Sequence, residues 1–115
     1  MAVFASRQIV LPVLSITVTI TGSGSQNYCY AIINGTKQYR AGTHEVNDGD
    51  TITFGIFGRS SSTYGLVTID GTEVLRVTDK TTETYDWTVP NGISTVEIAM
   101  STQSANYGRI TVTTA

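Results

Sequence analysis

A chain of 115 residues accommodates one domain of ordinary size and leaves no room for a second core. Only 14% of its residues are charged and the formal net charge is -2, so there is no basic field to gather phosphates, and nucleic acid is not an expected partner. The single cysteine, Cys29, excludes an intrachain disulfide framework and a cysteine-based zinc site, and is read as a small apolar residue in or near a strand.

Residues 1–14 form an N-terminal arm distinct from the rest of the chain. Val3, Phe4, Ile9, Val10, Leu11, Val13 and Leu14 are apolar, interrupted by Arg7, Gln8 and Pro12. An arginine in mid-segment spoils the order of a secretory signal, in which positive charge precedes an unbroken apolar stretch. No run approaches the ~20 apolar residues that span a bilayer. A soluble protein made in a cytoplasm without export, with no membrane partner, is therefore expected. Two fates are open to the arm: it is the first strand of its own domain, or a neighbouring subunit buries it or pairs with it as an added strand. In the second, Val3, Phe4, Ile9, Val10 and Leu11 supply the apolar contacts.

From Ser15 onward polarity alternates with the two-residue period of a strand. Ile16, Val18 and Ile20 share one face, and Gly22, Ser23, Gly24 and Ser25 then mark a loop. Residues 28–33 read as a second strand, turned by Asn34-Gly35 into a return over residues 37–40. A short stretch over residues 43–46 leads to Asn47-Asp48-Gly49-Asp50, another turn. Residues 51–57 place Ile52, Phe54 and Ile56 on one face and form the clearest core strand. After the Ser-rich loop at residues 58–63 come a strand at residues 64–69, an Asp70-Gly71 turn and a return over residues 72–77. Residues 83–89 alternate Tyr85, Trp87 and Val89 against Thr84, Asp86 and Thr88, with Trp87 read as core. Residues 93–100 and 107–113 complete the set. Val67-Thr68-Ile69-Asp70-Gly71-Thr72 echoes Ala31-Ile32-Ile33-Asn34-Gly35-Thr36, which two hairpins with the same turn chemistry explain without a repeat architecture.

No window sustains helical periodicity, and Thr, Val and Ile favour strands. The pattern is that of an all-β sandwich or small barrel, and an antiparallel β-sandwich of seven to nine strands over residues 15–115 is the form expected.

Catalytic chemistry finds little footing. His44 is the only histidine, and no serine sits in a nucleophile elbow. Glu45, Asp48 and Asp50 lack calcium-loop spacing, and turn chemistry accounts for Asp-Gly-Asp. Asn34-Gly35-Thr36 has the form of a glycosylation sequon but is read as a hairpin turn. No enzyme activity and no cofactor or metal are expected. Among the aromatics, Tyr64 and Tyr107 lie beside Ser-rich or Gly-containing loops and are the candidates for a binding surface.

At Val46-x-x-Gly49-Asp50-Thr51-Ile52-Thr53-Phe54, Val67-Thr68-Ile69-Asp70-Gly71-Thr72 and Tyr85-x-Trp87-x-Val89-Pro90, the chain resembles small immunoglobulin-like proteins and domains encoded among tailed-bacteriophage virion genes. The likeness covers residues 15–115, and its motifs are strand-and-turn signatures that carry no functional residue across. It implies a virion structural protein, such as a capsid decoration, head-fibre or tail-associated accessory protein, that binds a capsid or tail protein in many copies and forms a homo-oligomer. A carbohydrate-binding or cell-surface adhesion module, taking a host-surface glycan on exposed tyrosines, is the expectation from another class.

Overall fold

The computed structural model describes residues 15–104 and 106–115, and these form ten β-strands with no helix among them. In chain order they are β1 (Ser15–Ser23), β2 (Cys29–Ile33), β3 (Thr36–Gln38), β4 (Arg40–Asn47), β5 (Thr51–Gly58), β6 (Gly65–Ile69), β7 (Thr72–Val77), β8 (Thr81–Thr88), β9 (Thr95–Thr102) and β10 (Gly108–Thr114). A six-stranded sheet has the order β4-β1-β9-β10-β6-β7, and a four-stranded sheet the order β3-β2-β5-β8.

Alternation sets the inner faces. Ile16, Val18 and Ile20 of β1, Val96, Ile98 and Met100 of β9, and Ile110 and Val112 of β10 are buried. They meet Cys29, Ala31 and Ile33 of β2 and Ile52, Phe54 and Ile56 of β5 in one apolar cluster. Two sheets sharing one core in this way are compatible with a β-sandwich. Cys29 is buried, and its thiol donates to the Ser101 carbonyl at 3.5 Å, so it bridges the two sheets. No polar or charged residue is buried among the described residues.

Two tight turns form as their residues dictate. Asn34-Gly35 and Asp70-Gly71 take positive φ at both positions, 52° and 78° in the first and 50° and 83° in the second, as a two-residue hairpin requires.

Two expectations are corrected. There are ten strands, not seven to nine, and the break after the Asn34-Gly35 return falls at Tyr39: Thr36–Gln38 completes the four-stranded sheet, and Arg40, read as part of that return, instead opens the strand Arg40–Asn47 of the six-stranded sheet. Nor is the pairing wholly antiparallel, since β1 runs parallel to β9 and β10 parallel to β6. Between the members of each parallel pair the chain passes through other strands and re-enters the sheet in the original direction, a long crossover that parallel pairing demands. Trp87, read as core, does pack against the apolar cluster, its ring 6.2 Å from that of Phe54, and is half-buried on β8, the last strand of its sheet.

Candidate functional site

Tyr64 and Tyr107 immediately precede β6 and β10, the neighbouring parallel strands. Arg109 stands beside Leu66 in their register, and each tyrosine lies two residues before its member of that pair, so both are level at one end of the six-stranded sheet. Both are half-buried. The candidate residues are thus brought to the same rim, and the structure adds two arginines to them.

Leu66 is flanked by Arg76 of β7 on one side and Arg109 of β10 on the other. The Arg76 guanidinium carbon lies 3.9 Å from the centroid of the Tyr64 ring and that of Arg109 lies 5.9 Å from it. Guanidinium groups are drawn to the negative face of an aromatic ring, and here one ring serves two. Arg76 is further fixed by Glu73, whose Oε1 accepts from Nε at 3.1 Å and from a terminal nitrogen at 2.7 Å. That hydrogen bond lowers the Glu73 pKa below the ordinary glutamate value and raises that of Arg76. Arg109 differs, since its Nε is shielded from solvent and has no hydrogen-bond partner among the described residues.

The loops on this rim are held by their own polar groups. Arg59 N donates to the Thr63 carbonyl at 2.9 Å, and the Ser60 and Thr63 hydroxyls are 2.8 Å apart. Gln103 N donates to the Tyr107 carbonyl at 2.8 Å, while its side-chain amide donates to the Ser101 hydroxyl at 3.0 Å. Together these groups bring aromatic rings, hydroxyls and the Arg109 guanidinium to one rim.

A second surface, on the outer face of the four-stranded sheet, was not singled out from sequence. The Tyr30 ring lies across Gly55, with its ring carbons well inside van der Waals distance of where a Cβ would stand. Lys37 Nζ sits 4.2 Å from the Tyr30 ring centroid, and Tyr28 meets Phe57 edge-on at 5.4 Å. Alternation contained the signal: with Cys29, Ala31 and Ile33 inward, Tyr30 must point outward, as must Phe57 beside inward Ile56.

The remaining sequence candidates have structural partners. His44 lies half-buried on edge strand β4 opposite Val18 and close to Gly42. The Asp50 carboxylate accepts from Asn47 N at 2.9 Å, closing its turn. Glu45 accepts a long hydrogen bond from Thr17 at 3.4 Å. Among the described residues, no three His, Cys, Asp or Glu side chains are grouped so as to hold a metal ion. Val3, Phe4, Ile9, Val10 and Leu11 lie outside the described residues. Compared with family models, curated proteins and solved structures, the chain found no match.

Proposed function

We propose that this chain is an immunoglobulin-like bacteriophage virion accessory protein, a capsid decoration or tail-associated component, that works by protein–protein assembly and not by catalysis. The observation that carries the reading is the division of the chain into an apolar arm and a body whose interior holds no polar or charged side chain among the described residues. Chemistry in such a body is confined to its surfaces, and the arm offers apolar area that self-association would bury. The capsid or tail setting comes from the resemblance at Val46 to Phe54, Val67 to Thr72 and Tyr85 to Pro90. The described core is built from residues between Ile16 and Val112, so removal of residues 1–14 leaves that core whole. The test is the mass in solution and the co-sedimentation with virions of the chain without residues 1–14. A drop to monomer with loss from particles is expected; an unchanged mass with full retention on particles overturns the arm's role.

One observation favours a second reading, a module that binds a host-surface glycan. Tyr64 and Tyr107 share a rim with Arg109, and sugar rings stack on aromatic faces while their hydroxyls take hydrogen bonds from a guanidinium. Glycan-array binding that disappears in Tyr64→Ala and Tyr107→Ala would support it, and an array with no binder removes it.

A further inference from the structure

Among the described residues the two sheets present four edge strands, and three are protected. β3 is three residues long. β4 and β7 each face a register shift in their pairing, between Ile20 and Ser23 for the first and between Val67 and Thr68 for the second. Short edges and bulges are the devices by which sheets avoid pairing with other chains. β8 has neither device. It pairs with β5 in unbroken register from Thr51 opposite Thr88 to Gly58 opposite Thr81, and its far side is the open end of the four-stranded sheet. Beside it, between β8 and β7, runs a half-buried apolar seam of Val74, Leu75, Tyr85 and Trp87.

We propose that β8 receives the arm of a second copy of this chain, with residues 7–11 added as a fifth strand to the four-stranded sheet. This rests on the assembly reading above and names its acceptor. Ile9 and Leu11 fall on one side of such a strand, with the period that would lay them along the seam, and Pro12 ends the pairing because it has no N–H to donate. Charge agrees: Arg7, the arm's one charged side chain, falls on the side of Ile9 and Leu11, and Glu83 falls on the side of Tyr85 and Trp87 in β8, a strand with no basic residue.

Geometry selects a second copy over the same chain. Ser15 opens β1, which is four strand positions from β7 in the six-stranded sheet, about 19 Å at the usual spacing. Leu11 precedes Ser15 by four residues, whose full extension is about 14 Å. Since β8 packs beside β7, Leu11 of the same chain falls short of its edge, and a strand over the whole of residues 7–11 cannot be seated there. A neighbouring molecule has no such limit.

The experiment compares the full chain with a full-length variant carrying Ile9→Glu and Leu11→Glu, reading mass by light scattering and amide exchange strand by strand. The variant is expected to be a monomer in which β8 amides exchange faster by on the order of tenfold or more, with β5 and β9 unchanged. A mass that falls while β8 exchange stays the same overturns β8 as acceptor and leaves the assembly reading standing. An unchanged mass overturns the assembly reading and this inference with it. A monomeric parent chain whose β8 amides are nonetheless protected by the arm overturns the second copy as its source.

Discussion

At Gly55 the space a side chain would occupy is already taken by the ring of Tyr30, whose carbons stand far inside contact distance of the Cβ position. Lys37 Nζ also lies over that ring, 4.2 Å from its centroid, so both a cation and the Gly55 backbone hold it in place. Gly55→Ala must displace it, and overpacking of this kind costs about 1–3 kcal/mol. A lower urea midpoint with unchanged slope is the expected outcome. In a Tyr30→Ala background the same substitution should cost much less, because the two residues are in direct conflict and their effects do not add. Asp70 makes a different residue-scale contribution. Its carboxylate accepts from Thr114 N at 2.8 Å and from the Thr114 hydroxyl at 2.7 Å, and these bonds lower its pKa from 3.8. A depressed carboxylate stabilises the fold above its unfolded-state pKa and loses that contribution as pH falls through the lower, folded value. Asp70→Asn keeps a residue that tolerates φ of 50° but removes the charge. Its melting temperature should lie below that of the parent near neutral pH and converge with it below pH 3.8, read by thermal scans across the acid range.

At the scale of elements, strands were legible because one face of each is inside and the other outside. Residues 51–57 show this in β5, and Asn34-Gly35 and Asp70-Gly71 name their turns by the positive φ they tolerate. Strand direction and neighbour were not legible, since the alternation in β1 and β9 reads the same whether they run parallel or antiparallel. The change of sheet at Tyr39 escaped for a related reason: three residues of β3 are too few to show that Arg40 belongs to the next strand. Of the candidate site, Tyr64 and Tyr107 could be found from their loops, whereas Arg76 and Arg109 could not, because only the β7-β6-β10 order sets both beside Leu66. The two-faced character of β9 gives a direct test. Ile98 is fully buried in a strand flanked by β1 and β10, while the adjacent Glu97 is exposed. Ile98→Ala should destabilise by about 2–5 kcal/mol, and Glu97→Ala should stay within about 0.5 kcal/mol of the parent, both by urea unfolding. Equal losses at the two positions would refute the assigned faces.

For the whole molecule, the proposed exchange of arms between copies has a consequence in mass action. The body carries few charges, 14% of the whole chain, so copies approach with little mutual repulsion, and β8 is the one long unbroken edge among the described strands. If arms are exchanged between copies, folding and association are linked, and stability must depend on protein concentration. Each tenfold rise in concentration adds about 1.4 kcal/mol to an association equilibrium, and a domain of this size shifts its midpoint by roughly 4–8 °C per kcal/mol of its own stability. Shared between the chains of a small oligomer, the expected rise in melting temperature is about 2–5 °C per decade of concentration. The variant carrying Ile9→Glu and Leu11→Glu should melt at one temperature across the same range. A parent chain whose melting temperature is likewise insensitive to dilution would mean that its fold owes nothing to a neighbour, whatever the arm touches. Calorimetry over two decades of concentration separates the cases without any knowledge of another partner.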